Sequence, residues 1–291
     1  MAMREQVEVR CETGALAGAS GLVFTRTWLP EAAKAVVVVS HGYGEHSGRY
    51  EDLGRFLSGR GFVVCAFDFR GHGRSEGERA NVARFEDFIH DLEVVAEHVT
   101  AQHPDLKTFF FGHSMGGNVA LYYALEHPGR IAGLVTSGAG LEVGNEVPAV
   151  AKAVAKLVSR AFPGVPIVAL DDSAYSRDER AATSFFEDPY VYRGRVKARI
   201  GAELLRIGPY LLSRARELQL PMLVMHGGND RTASPNGSRA LCERAASTDV
   251  TLRIYDGAFH AIFDDFGREA VLADLATWLD EVVVRWRDPG A

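Results

Sequence analysis

Gly112-His113-Ser114-Met115-Gly116 lies between an apolar run, Thr108-Phe109-Phe110-Phe111, and a helical one, Asn118-Val119-Ala120-Leu121-Tyr122-Tyr123-Ala124-Leu125. A serine with glycines two residues before and two after it, at a strand-to-helix junction, has the pattern of a nucleophile elbow. So tight a turn leaves almost no room for side chains at the two glycine positions. It lifts the hydroxyl out of the sheet and sets it over the N-terminus of the next helix, where the helix dipole favours negative charge. Ser114 is the candidate nucleophile. In a chain with 30 glycines the five-residue pattern needs support from its surroundings.

The surroundings agree. Upstream, Ala35-Val36-Val37-Val38-Val39 and Phe62-Val63-Val64-Cys65-Ala66-Phe67 are short continuous apolar runs, as in strands buried on both faces of a parallel sheet. An early strand reads over 22–28, and further strands over 131–135, 222–225 and 250–255. Helical patterns fall over 49–58, 85–100, 235–246 and 268–284. This alternation predicts an α/β fold, a mostly parallel central sheet flanked by helices on both faces. The interval 141–219 breaks it with helical patterns and turn signals. It reads as a helical cap inserted before the last two strands, over the strand ends where such sheets bind ligands. The core is then expected over 1–140 and 220–291.

Composition narrows the function. The 291 residues are 47% hydrophobic and 24% charged with a net charge of −6, an ordinary globular balance without the basic excess of a general nucleic-acid binder. Cys11, Cys65 and Cys242 are widely spaced and form no C-x-x-C pair, so neither a disulfide framework nor a zinc site is indicated. The first residues lack a signal-peptide hydrophobic region, and no run approaches the roughly 18 apolar residues of a membrane span. The expected compartment is the cytoplasm, with peripheral membrane contact left open.

A serine hydroxyl is a weak nucleophile without a base, and the base needs an acid to orient it. Both follow Ser114 in the order Ser, Asp, His. Asp230 lies in Met225-His226-Gly227-Gly228-Asn229-Asp230, just after one buried strand. His260 lies in Ile254-Tyr255-Asp256-Gly257-Ala258-Phe259-His260, just after the next. Asp256, Asp264 and Asp265 compete for the acid's role. Donors for an oxyanion are expected from the Met115 backbone N–H and from the Tyr43 backbone N–H in Ser40-His41-Gly42-Tyr43-Gly44-Glu45-His46. There, His41-Gly42 could equally serve only to turn the chain. Asp68-Phe69-Arg70-Gly71-His72-Gly73-Arg74-Ser75 reads as a structural loop, and Ser75 lacks the elbow context.

The chain resembles the monoacylglycerol lipase family of the α/β-hydrolase superfamily over most of its length. The resemblance rests on His41-Gly42-Tyr43-Gly44-Glu45-His46-Ser47-Gly48-Arg49-Tyr50, Gly71-His72-Gly73-Arg74-Ser75-Glu76-Gly77, Gly112-His113-Ser114-Met115-Gly116-Gly117, Ser176-Arg177-Asp178, Asp188-Pro189 and Gly257-Ala258-Phe259-His260. Lysophospholipases share much of this pattern. The resemblance implies a lipid-contacting cap, an acyl tunnel beneath it, and no metal or organic cofactor. It places Glu45 and Arg49 at the polar end where glycerol sits; alternatively Glu45 fastens a loop and Arg49 pairs with a surface carboxylate. Relatives commonly carry a tyrosine shortly before the cap's Asp-Pro. By this resemblance Phe186 holds that place here and cannot donate the hydrogen bond. After His260, Ala261 stands where bacterial relatives often have glutamate.

Residues 147–161 form an amphipathic pattern, with Val147, Val150, Val154, Leu157, Val158 and Ala161 on one face and Lys152, Lys156 and Arg160 on another. Such a helix either packs on the core or lies on an anionic membrane. The expected function is a serine esterase cleaving monoacylglycerols through an acyl-enzyme on Ser114. The alternatives are a lysophospholipase or thioesterase on the same scaffold and, outside enzymes, a lipid-binding pseudo-enzyme.

Overall fold

The computed structural model describes residues 9–19, 21–143 and 157–287. Eight strands form one sheet: β1 (Arg10–Gly18), β2 (Gly21–Leu29), β3 (Ala35–Ser40), β4 (Phe62–Phe67), β5 (Thr108–His113), β6 (Gly133–Ser137), β9 (Met222–Gly227) and β10 (Val250–Tyr255). Their spatial order is β1-β2-β4-β3-β5-β6-β9-β10. The β1–β2 and β2–β4 pairs are antiparallel; the remaining pairs are parallel. Strand β1 was not anticipated from sequence. It is an edge strand with mostly exposed residues, so it carries no buried face to leave a hydrophobic pattern.

Helices cover both faces. Side chains of β3 alternate between them: Val36 and Val38 join one apolar cluster, Val37 and Val39 the other. The first cluster takes in α2 (Glu86–Gln102), α3 (Met115–Glu126), α5 (Ala198–Arg214) and Leu241 of α6 (Pro235–Arg244). The second takes in α1 (Glu51–Ser58) and α7 (Arg268–Arg287). Burial on both sides explains why β3, β4 and β5 read as continuous apolar runs rather than alternating ones. A turn of 3-10 helix, Ser47–Tyr50, precedes α1 where a single helix was expected.

Between β6 and β9 the chain leaves the sheet. The described part of this excursion holds α4 (Glu179–Glu187), α5 and a small antiparallel pair, β7 (Pro166–Val168) with β8 (Val196–Lys197). It meets the loops that follow β3, β9 and β10, at the C-terminal ends of the parallel strands. Of the amphipathic stretch 147–161, residues 147–156 lie outside the described residues, and 157–161 are helical. Among the described residues no helix is long and apolar enough to cross a membrane.

Candidate active site

Ser114 sits at the junction of β5 and α3 with φ +52° and ψ −117°. A positive φ is costly for a residue bearing a Cβ, so it marks a position held by its surroundings. The flanking glycines are sterically required. A Cβ on Gly112 would come within 2.4 Å of the Gly116 carbonyl oxygen, and one on Gly116 within 2.1 Å of the Ser40 oxygen. The Ser114 N–H donates to Ser137 O at 2.9 Å, which ties the elbow to β6.

Met115 is the first residue of α3, so its amide is one of the four N–H groups without an intrahelical acceptor. The loop carrying Tyr43 lies against the elbow: a Cβ on Gly42 would stand 3.3 Å from Ser114 Cβ. The Tyr43 hydroxyl donates to Ala80 O at 3.2 Å.

His260 and Asp230 meet as the order of the loops requires. His260 Nδ1 is 2.6 Å from Asp230 Oδ2, while Asp230 Oδ1 accepts from the Thr232 and Ala233 N–H groups at 2.7 and 2.9 Å. Burial opposes ionisation of Asp230, but the His260 charge and hydrogen bonds from His226 and His260 hold its carboxyl well below the usual range. Burial likewise works against charge on His260, yet Asp230 raises its pKa above the ordinary value. The His260 ring centroid is 4.8 Å from that of His113, the residue preceding Ser114. Two of the three competing carboxylates are engaged elsewhere: Asp264 with Tyr175 and Arg49, Asp265 with Arg177 and the Phe259 N–H.

Sequence reasoning missed His226. It lies fully buried at the end of β9, with Nε2 3.0 Å from Asp230 Oδ2 and Nδ1 2.7 Å from Ser238 Oγ. Its neighbours in sequence belong to a buried strand, so nothing local marks it as a partner of the acid.

Glu45 is buried. Its Oε2 accepts from Gly42 N–H at 3.1 Å and from the Tyr50 hydroxyl at 2.9 Å. Burial disfavours its charge, but the His113 and His41 rings and these hydrogen bonds lower its pKa. Arg49 Nη2 is 3.3 Å from Asp264 Oδ2, and Nη1 reaches Ser184 Oγ at 3.3 Å. Glu45, Arg49, Tyr50, His113, Tyr175 and Asp264 line a cavity of about 40 Å³. Both phenylalanine rings meet Tyr175, Phe186 edge-on at 6.1 Å, but Phe185 is the one beside Arg49. Phe185 stacks on Tyr175 at 4.1 Å and lies 5.5 Å from the Arg49 guanidinium, whereas Phe186 packs against Arg193. Tyr50 and Tyr175 are the tyrosines that line this cavity, and the Tyr175 hydroxyl donates to Asp264. Among the described residues no group of three or more His, Cys, Asp or Glu is arranged to hold a metal ion.

The loop 68–75 is structural in its contacts. Asp68 accepts from Ser47 N–H at 2.6 Å and Arg74 N–H at 2.8 Å. The Ser75 hydroxyl donates to Asp68 O and accepts from Phe24 N–H.

Three histidines are buried around the site, and for each of them burial outweighs its hydrogen bonds and the carboxylates nearby. Burial pushes His41 and His113 down to about 4 and His72 to about 3, against an ordinary value of 6.5. All three are neutral in the folded protein near neutrality, while the unfolded chain takes up protons below pH 6.5. Their stabilisation is therefore complete above pH 6.5 and is lost as pH falls toward 4, on the order of 3 kcal/mol for His41 or His113. The melting temperature should drop between pH 7 and pH 5, by about 2–4 °C per kcal/mol. A calorimetric Tm that stays flat over that interval would contradict the neutral assignment.

The model of the family Hydrolase_4, described as serine aminopeptidase S33, matches residues 31–266. A monoacylglycerol lipase of Mycolicibacterium smegmatis is 36% identical over 265 residues, 90% of this chain and 95% of that protein. A monoglyceride lipase of Homo sapiens is 35% identical over 89% of this chain and 87% of its own length. Among solved structures, a monoacylglycerol lipase of Paleococcus ferrophilus superposes with a TM-score of 0.79 at 30% identity, over 96% of this chain and 99% of that one.

Proposed function

This chain belongs to the Hydrolase_4 family of α/β-hydrolases, and we propose that it is a carboxylic ester hydrolase that cleaves monoacylglycerols to fatty acid and glycerol through an acyl-enzyme on Ser114. The observation that carries the mechanism is the hydrogen-bonded His260–Asp230 pair beside a serine held at positive φ on a helix N-terminus.

With Nδ1 bound to Asp230, His260 is left with Nε2 as the nitrogen for proton transfer. His260 takes the Ser114 hydroxyl proton as Oγ attacks the ester carbonyl carbon. The carbonyl oxygen becomes an oxyanion, which accepts hydrogen bonds from the Tyr43 and Met115 amides. The tetrahedral species collapses, the bond to the glycerol oxygen breaks, and His260 delivers its proton to that oxygen. Water then enters, gives a proton to His260 and attacks the acyl carbon. Collapse returns the proton to Ser114 and releases the fatty acid. Asp230 stays ionised throughout and stabilises the imidazolium.

The head group is read as facing the cavity of Glu45, Arg49 and Tyr175, with Phe185 stacked on Tyr175 behind it. Residues 141–219 serve as the cap. Leu157 is 69% exposed and Phe162 63%, and Val165, Ile167, Val168 and Leu170 are exposed beside them. An apolar surface of this kind, with Arg160 exposed next to it, supports contact with an anionic lipid interface, where a poorly soluble substrate resides.

A turnover panel tests both readings. Monoacylglycerol, diacylglycerol, triacylglycerol, lysophospholipid and acyl-CoA are presented in anionic vesicles, and co-sedimentation of the protein is read from the same samples. Preference for monoacylglycerol with vesicle binding is expected. Preference for lysophospholipid or acyl-CoA would overturn the substrate while leaving the mechanism. Protein remaining in the supernatant would overturn the interfacial contact.

A further inference from the structure

The cap touches the loop that carries the Tyr43 amide at several points. His46, at the end of that loop, directs Nε2 at Asp188 Oδ2, 2.9 Å away across 142 residues of sequence. The Tyr192 N–H donates to Gly44 O at 2.8 Å. The fit there is close: a Cβ on Gly44, at φ +81°, would come within 3.2 Å of the Tyr192 carbonyl oxygen. The Tyr190 ring lies 5.6 Å from the His46 ring, and the Tyr190 carbonyl accepts from Arg79. Asp188 Oδ1 accepts from Tyr190 N–H at 2.9 Å, which folds the turn that presents all of these groups.

From this geometry we infer that the turn from Asp188 to Tyr192 positions the oxyanion loop, with Asp188 as the positioning residue acting through His46. The inference rests on the reading of Tyr43 N–H as an oxyanion donor. An amide stabilises an oxyanion only when held at hydrogen-bond distance from where the charge develops. Gly44 and His46 flank the Tyr43 amide within three residues. The loop is fastened on its core side through the carboxylate of Glu45, which binds the Gly42 N–H. On its outer side the described contacts come from the cap. Docking of this turn thus completes the site, rather than merely covering it.

The protonation pattern makes the link specific. Gly48 N–H donates to His46 Nδ1 at 3.1 Å, so Nε2 bears the proton and donates to Asp188. Both Asp188 oxygens therefore accept, one from His46 and one from Tyr190. Asp188→Asn keeps size and shape but offers only one acceptor, and its amide nitrogen must face one of the two donors. In the double variant with His46→Gln, the glutamine amide can turn its oxygen toward that nitrogen and restore the link.

The experiment uses the full chain with a soluble short-chain ester. It measures kcat, KM, Tm and the affinity of a trifluoromethyl ketone, whose serine adduct carries an oxyanion. Loss of a whole oxyanion donor costs about 10²–10³ in kcat. A loosened loop retains part of that, so Asp188→Asn should lose about tenfold or more in kcat, with a matching loss of ketone affinity and little change in KM. His46→Gln alone should lose less than Asp188→Asn, because glutamine can still donate to the Asp188 carboxylate, and the double variant should exceed Asp188→Asn in both kcat and ketone affinity. Wild-type kcat and ketone affinity in Asp188→Asn would overturn the inference. So would a loss explained by a lowered Tm without any change in ketone affinity of the folded fraction, or a loss that the double variant leaves in place. Failure of the proposed serine-hydrolase function is distinguishable, because Ser114→Ala would then keep its turnover, whereas failure of the loop inference alone leaves Ser114 essential.

Discussion

Ser114→Ala is expected to reduce turnover by roughly 10⁴–10⁶ while leaving the fold intact. Alanine removes the atom that forms the acyl-enzyme, and the remaining oxyanion donors and binding contacts supply only residual catalysis. The backbone at 114 has φ +52°, a conformation alanine tolerates no better than serine. It is fixed by the Ser114 N–H bond to Ser137 and by the glycines on either side, so a small change in Tm accompanies the loss. Single-turnover assays and labelling with a fluorophosphonate check it. Labelling should be absent in the variant and stoichiometric in the native protein. A folded Ser114→Ala protein that still turned over monoacylglycerol would remove the serine mechanism altogether.

The second large effect belongs to Asp230→Asn, for which a loss of about 10⁴ in kcat is expected, comparable to loss of the acid in other serine triads. The reason is specific to the hydrogen bonds here. Asp230 Oδ1 accepts from two backbone N–H groups, Thr232 and Ala233, and an asparagine must place its single oxygen there. Its amide nitrogen then faces His260 Nδ1, which is forced to accept. The proton moves to Nε2, and the ring can no longer take one from Ser114. The same nitrogen would meet His226, now close to Asp230 Oδ2. The loss should appear in the acylation rate, measured by the burst with a chromogenic ester, with KM little altered. A variant within tenfold of wild type would mean that Asp230 does not set the His260 tautomer.

Much of the frame was legible because its causes are local. A strand buried on both faces must be apolar at every position, and β3, β4 and β5 are. An elbow needs glycine at 112 and 116 because backbone atoms lie within 2.1–2.4 Å of where a Cβ would stand. Strand β10 is found over the residues read from sequence, since its turn signals adjoin it. Strand β1 escaped because an exposed edge strand takes its definition from its partner, β2, rather than from its own pattern. The sequence reading singled out Phe186, and the ring beside Arg49 is Phe185. Only the orientation of α4 decides which ring faces Arg49.

By itself the sequence determined the α/β class, the serine at its elbow, and the order of the loops bearing Asp230 and His260. Each of these follows from short-range sterics or from burial repeated along a few residues. The tertiary structure alone decided which carboxylate meets His260, that His226 shares it, that Tyr175 brings a hydroxyl to the cavity beside Arg49, and that Asp188 reaches His46. These pairs join residues from separate loops, and a loop carries no periodicity that would show in advance where its side chains point. Their partners are fixed only when the sheet brings the ends of its strands together and the excursion between β6 and β9 folds back over them.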